Sequence, residues 1–301
     1  MDNSHLIILR KFINYQRVVI CKSEHSLISY ETDLKQFLDY LETNEEIVNL
    51  NEVNNITIRS FMSFLNKSGI NKRSINRKLS AIKSFYRYLL MENSVESDPT
   101  LLVTAPKFEK PLPTVLTDSE VKKIIASIDT SDILGIRDRA MIELLYSSGM
   151  RAAELLSLSE YSLNFSEREA RVTGKGEKER ITFFSKTASE WVRKYISAKQ
   201  QQYKNYSKDK IFVNSKGVPI TDRSLRRIVE FYGKKAEINK NVSPHTFRHS
   251  FATELMNRGL DIKFLQELLG HSSIATTQVY TTVSKDYLRE VYMNTHPFAK
   301  E

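Results

Sequence analysis

The stretch DPTLLVTAPKFEKPLPT, residues 98–114, decides how the chain divides. Four prolines fall within it, Pro99, Pro106, Pro111 and Pro113. Each removes a backbone donor and disfavours helix in the residue before it, so an extended segment is expected here. Immediately afterwards, Thr117-Asp-Ser-Glu120 has the spacing of a capping box, the local signal for a helix start. A proline-rich spacer followed by a capped restart reads as a domain boundary near residue 110. The expected division is a helical domain over 1–104, a linker over 105–115 and a second domain over 116–301.

On the N-terminal side, apolar residues recur at helical spacing. Leu6, Leu9, Phe12 and Ile13 mark a first helix, and Leu27, Tyr30, Leu34, Phe37, Leu38 and Leu41 a second. A third covers about Ile56 to Leu65 and stops at Gly69. The fourth starts near Ser74 and carries Ile75, Leu79, Ile82, Phe85, Tyr86 and Leu89 on one side. Four such helices predict a small bundle. From Val53 to Met91 there is no Asp or Glu, yet there are eight Lys and Arg residues. A solvated face usually carries both signs, so this window points to contact with DNA phosphates. Lys72, Arg73, Arg77, Lys78 and Lys83 are the expected contacts, although Arg77 and Arg87 could equally sit partly in the core.

The totals fit that reading. Across 301 residues there are 45 Lys and Arg against 36 Asp and Glu, a net charge of +9 that favours a polyanionic partner. No apolar run approaches the ~20 residues of a membrane helix, and the start MDNSHLIILRKF lacks a signal-peptide cleavage pattern. The single cysteine, Cys21, excludes an internal disulfide and a Cys-based zinc site and fits a reducing cytoplasm.

On the C-terminal side the pattern is mixed. Helices are expected over Gly135–Ser147, Ala152–Leu158, Ala188–Gln201, Asp222–Ala236, Thr246–Asn257, Ile262–Leu269, Thr276–Val279 and Lys285–Met293. Tyr161–Phe165, Glu169–Thr173 and Arg180–Phe184 read as short antiparallel strands. The fold class is therefore mainly α with a small antiparallel β-sheet.

Five short motifs run through this region in order: Gly149-Met-Arg151-Ala-Ala-Glu154-Leu, Gly174-Lys175-Gly176, Ser243-Pro-His245-Thr-Phe-Arg248-His249, Leu269-Gly-His271-Ser-Ser and Tyr280. Transfer of a phosphodiester to a protein hydroxyl develops charge on two non-bridging oxygens. Two guanidiniums, Arg151 and Arg248, suit that charge because each donates a planar fork of hydrogen bonds. A surface ion pair with Glu154 is the plainer reading of Arg151. His245 and Arg248, three apart, share a helix face. His245 can donate to a phosphate or take a proton. A metal set of His245, His249 and His271 lacks a Cys or carboxylate to complete it. Lys175 lies between glycines in a turn that could also be simply solvated, and His271 could be a helix C-cap. Tyr280 sits in the polar segment Thr276-Thr-Gln-Val-Tyr-Thr, where its hydroxyl can be presented as a nucleophile.

Taken together, the five motifs resemble the signature of tyrosine recombinases of the phage integrase family, in particular the Xer type. The resemblance spans essentially the whole chain. It implies an N-terminal four-helix, SAM-like core-binding domain and an α+β catalytic domain. It further implies a site-specific recombinase that cuts and rejoins DNA through a 3′-phosphotyrosyl bond at Tyr280, passing through a Holliday junction. Arg151, Lys175, His245, Arg248 and His271 would be the other catalytic residues, with Lys175 the general acid and Glu154 in support. Arg223 and Arg227 join the expected DNA contacts. The covalent ester conserves bond energy, so no cofactor, metal or ATP is expected, and no Walker-type loop is found. The partners implied are a double-stranded recombination site, a homo- or hetero-tetramer joined through the C-terminal helix at about 285–293, and an activating protein; no membrane is involved. Packing of that helix on its own domain is the alternative. The compact Xer type, without an additional N-terminal arm-binding domain, is expected, with chromosome-dimer resolution as its role. Service to a plasmid or other mobile element, a non-catalytic DNA-binding role and type IB topoisomerase activity are the competing readings. Trp191 and Phe251 are expected in the core, and His5, His25 and His296 carry no assignment.

Overall fold

A computed structural model describes residues 3–107, 114–174, 179–203, 207–270 and 285–299. The chain separates into two compact units, Met1–Pro111 and Leu112–Glu301.

The first unit is a bundle of α1 (Asn3–Val18), α2 (Glu24–Asn44), α3 (Asn55–Lys67) and α4 (Lys72–Met91). Asn54 and Asn71 cap α3 and α4 by accepting from backbone N–H groups two or three residues on. The stripe Ile75, Leu79, Ile82, Phe85, Tyr86 and Leu89 is buried along α4, as the spacing required. It packs in one core with Phe12, Leu34, Phe37 and Phe61. The start of the proline-rich stretch departs from the extended segment expected. Residues 99–102 form a turn, because Asp98 Oδ1 accepts from both the backbone N–H (2.8 Å) and the hydroxyl (2.6 Å) of Thr100. The chain then lies against the bundle. Val103 is buried, and the carbonyls of Leu102, Val103 and Pro106 accept from Arg59, Lys83 and Asn76.

The second unit comprises α5 (Asp118–Ala126), α6 (Ile133–Ser148), α7 (Ala152–Ser157), strands β1 (Leu163–Asn164), β2 (Glu169–Thr173) and β3 (Glu179–Phe183), then α8 (Lys186–Gln202), α9 (Asp222–Lys235), α10 (Pro244–Asn257), α11 (Ile262–Leu269) and α12 (Lys285–Thr295). The three strands form one antiparallel sheet in the order β1-β2-β3. The strand expected from Tyr161 begins only at Leu163, because Glu160–Ser162 tighten into a 3₁₀ turn. The capping box at Thr117 and Glu120 is present. Helix α6 is the central element. Three-quarters of its residues are buried, and it packs against α8 and α10. Phe251 is buried, while Trp191 lies at the edge of the core under the cations of Arg139 and Lys194.

Helix α12 packs on its own domain. Tyr292 is buried and donates to the Ser147 carbonyl at 2.9 Å. The unassigned His296 stacks on Tyr292 and meets Tyr146 and Phe251, and burial pushes its pKa down to about 3. Among the described residues, no helix is long and apolar enough to cross a membrane.

Candidate active site

Two helix junctions bring the expected arginines together. At the first, α6 stops at Gly149, which adopts φ +60°. A Cβ there would lie 2.4 Å from the Phe251 ring, so both the turn and the close approach need glycine. The chain reverses through buried Met150 and presents Arg151 as the N-cap of α7. Glu154, on the first turn of α7, points back. Its Oε2 accepts from the Arg151 backbone N–H at 2.7 Å and its Oε1 from Arg151 Nη1 at 2.7 Å. At the second junction, Ser243 caps α10 and Pro244 opens it. One helical turn then places exposed His245 and buried Arg248 on the same side.

Arg151, His245 and Arg248 line one cavity of about 300 Å³, together with Ala152, Ala153, Ser243, Pro244 and, from α9, Asp222 and Arg226. The ion pair between Arg151 and Glu154 is real, but it belongs to a larger cluster. Arg180 of β3 donates Nη2 to Glu154 Oε2 at 3.0 Å, and Arg248 Nη1 lies 4.0 Å from the same oxygen. Three guanidiniums thus surround one buried carboxylate, leaving an excess of positive charge beside the cavity.

The end of α11 completes the arrangement. Gly270, at φ +62°, turns its N–H back to the carbonyls of Gln266 and Glu267. The next three carbonyls each receive an arginine. Arg180 Nε donates to Leu268 at 3.1 Å, Arg248 Nη2 to Leu269 at 2.7 Å and Arg151 Nη2 to Gly270 at 3.3 Å. Arg248 Nη1 also donates to the Gly149 carbonyl at 2.7 Å, so its guanidinium is locked between the end of α6 and the end of α11. Cations at a helix C-terminus are favourable, which helps hold like charges together.

Burial and the neighbouring Arg151 push Arg248 down to about 10, which still leaves it cationic at neutral pH. Burial also lowers Arg180, against the pull of Glu154. For Glu154 burial acts to raise the pKa. The charge of Arg180 and the hydrogen bonds from Arg151 outweigh it and keep the carboxyl below its ordinary range.

Lys175, His271 and Tyr280 lie outside the described residues. In the chain, Lys175 follows the end of β2 by two residues, and His271 follows Gly270 directly. His249 is half-buried, and among the described residues no group of three or more His, Cys, Asp or Glu is placed to hold a metal ion.

Arg180 escaped the sequence reading, which placed it at the start of a strand and gave it no role in the site. Strand alternation gave no signal for it: Arg180 shares a face with Thr182, and only the fold shows that Thr182 is buried while Ile181 on the other face is exposed.

The candidate DNA contacts divide. Lys72, Arg73, Arg223 and Arg227 are exposed. Arg77 is half-exposed and paired with Asp33 of α2. Lys78 needs correcting: it is buried, with Nζ 2.8 Å from Asp33 Oδ1, so its charge ties α4 to α2 instead of facing DNA. Lys83 is half-buried, and its Nζ donates to the Val103 carbonyl at 2.9 Å.

A helical bundle followed by a mixed domain with this cationic pocket defines a class, the DNA strand-transferring recombinases. Comparison with known proteins agrees. Residues 114–286 match the phage integrase family, and residues 9–93 match the phage integrase N-terminal SAM-like domain. The chain is 38% identical over 296 residues to tyrosine recombinase XerD of Staphylococcus epidermidis, covering 97% of this chain and 99% of that protein. It is 39% identical over 298 residues to tyrosine recombinase XerC of Leptospira interrogans, covering 97% and 94%. Among solved structures, XerH site-specific recombinase bound to its difH substrate is similar at TM-score 0.68 and 25% identity, over 94% of this chain and 82% of that one. The Tn1549 transposon integrase in complex with circular intermediate DNA shares the fold, at TM-score 0.73 and 18% identity over 94% and 97%. The chain belongs to the phage integrase family, as a tyrosine recombinase of the Xer type.

Proposed function

We propose that this recombinase cuts DNA by forming a covalent 3′-phosphotyrosyl ester at Tyr280. The phenol oxygen bonds to phosphorus, the bond from phosphorus to the 5′ oxygen breaks, and that oxygen leaves with a proton from Lys175. Arg151 and Arg248 hold the non-bridging oxygens, His245 takes the phenol proton and His271 donates to the phosphate. Rejoining reverses these steps, so neither ATP nor a metal ion is required. The observation that carries the reading is the convergence of Arg151, His245 and Arg248 on one cavity from segments about a hundred residues apart. A leaving-group proton and two fixed guanidiniums match the charge of a phosphoryl transition state, and the excess positive charge stabilises a phenolate.

The finer biological reading is a cytoplasmic enzyme that pairs two recombination sites as a tetramer, exchanges strands through a Holliday junction and resolves chromosome dimers. The 38% and 39% identities to XerD and XerC support this assignment. In a tetramer, α12 would leave the Tyr292 pocket of its own domain for that of a neighbour.

The test is a duplex nicked so that the cleaved end diffuses away. A denaturing gel should show a protein–DNA adduct with the wild type and none with Tyr280→Phe. An adduct that persists in the Phe variant sinks the assignment. A two-duplex exchange assay then separates recombination from relaxation of a single supercoiled duplex.

A further inference from the structure

We propose that Arg180 is a positioning residue of the strand-transfer site, tying the root of the β2–β3 hairpin to Glu154 and to the end of α11. The inference rests on the recombinase reading above and adds a residue to it. Arg180 pairs with Val172 across the hairpin, three residues before Lys175 in the chain. Its side chain is only 12% exposed. One guanidinium makes two bonds in different directions, Nη2 to Glu154 and Nε to the Leu268 carbonyl. A guanidinium makes these bonds from two separate nitrogens in one rigid plane, a spacing that the single nitrogen of a lysine does not reproduce.

The fit is close on both sides. A Cβ on Gly270 would lie 2.7 Å from Arg180 Cδ, so the end of α11 rests directly on the arginine stem. Arg180 therefore links three parts of the domain: β2, which ends two residues before Lys175 in the chain, the carboxylate that orients Arg151, and the helix end that precedes His271 in the chain. It also shares Glu154 with Arg151. Without Arg180, that carboxylate would have only Arg151 and the more distant Arg248 as cationic partners. It would draw Arg248, now 4.0 Å away, out of its place between Gly149 and Leu269. Misplacement of a phosphate-binding guanidinium slows chemistry far more than it weakens DNA binding, which draws on many phosphate contacts.

The experiment uses the full chain and the nicked duplex, measuring DNA affinity, single-turnover adduct formation and thermal unfolding for Arg180→Lys and Arg180→Met. The expected result for Arg180→Lys is a folded protein with wild-type affinity and slower adduct formation. Arg180→Met should lose about 10²-fold in adduct rate at similar affinity. Where Arg180→Met does not fold, Arg180→Lys alone decides. A wild-type rate in Arg180→Lys overturns the proposal, as does a loss of rate matched by an equal loss of affinity. Failure of the wild type itself to form an adduct would instead overturn the recombinase reading.

Discussion

Two buried carboxylates, one in each unit, gather cations in different ways. Asp33 in the bundle is fully buried and holds Arg77 and Lys78 from α4. Glu154 in the second unit is also buried, but it gathers Arg151, Arg180 and, more distantly, Arg248. Around Asp33, the lysine is sealed in and only part of Arg77 meets solvent. Around Glu154 three cations exceed one anion, and Arg151, 39% exposed, opens onto a cavity shared with His245. Cations outnumber the anion at both acids. At Asp33 both cations come from α4 and one is sealed in, so the cluster fixes two helices to each other. At Glu154 the surplus faces a cavity, the place proposed for a phosphate. The difference lies in where the surplus points.

The sharpest way to break that comparison is at Asp33. Asp33→Ala leaves Lys78 buried without its anion, and the expected loss is ~3–5 kcal/mol of bundle stability in chemical denaturation. Adduct formation by the folded fraction should not change. A stability loss below about 1 kcal/mol would place Asp33 and Lys78 among weak surface pairs. At the other cluster, Arg248→Ala should lower single-turnover cleavage by ~10²–10³-fold, the effect of losing one preorganised donor. The matching measurement is adduct yield against time at saturating protein. A rate near wild type would mean that the cavity does not hold the reacting phosphate.

A smaller effect sharpens the contrast within α4 itself. Lys72 and Arg73 are exposed, whereas Lys78 is tied to Asp33. Replacing Lys72 or Arg73 by Ala should reduce the slope of log affinity against log salt by about 0.9 each. Lys78→Met should leave that slope unchanged while lowering stability. Equal slopes for all three variants would contradict the division of the basic face.

Much of the fold could be read before any coordinates. The helices of the bundle follow from apolar spacing. The restart at Thr117 follows from its capping box, and the stop at Gly149 from a glycine at a helix end. The proline-rich stretch was less legible, since Asp98 turns the chain and α3 and α4 take up its carbonyls. At the site, the order and spacing of Arg151, His245 and Arg248 indicated a phosphate-binding set, and they meet in one cavity. Arg180 did not stand out, because a lone arginine near a turn looks solvated unless its strand neighbours are known to be buried.

The sequence by itself determined most of the helices and strands among the described residues, roughly where the chain divides and which side chains are proposed for phosphoryl-transfer chemistry. These depend on local spacing and on the chemistry of each residue. Only the tertiary structure decided which cations are free. Lys78 and Lys72 are both basic residues of α4, yet one meets Asp33, 45 residues away, and the other meets solvent. Pairing and burial arise when distant segments pack together, and no local pattern records which carboxylate will arrive beside which amine.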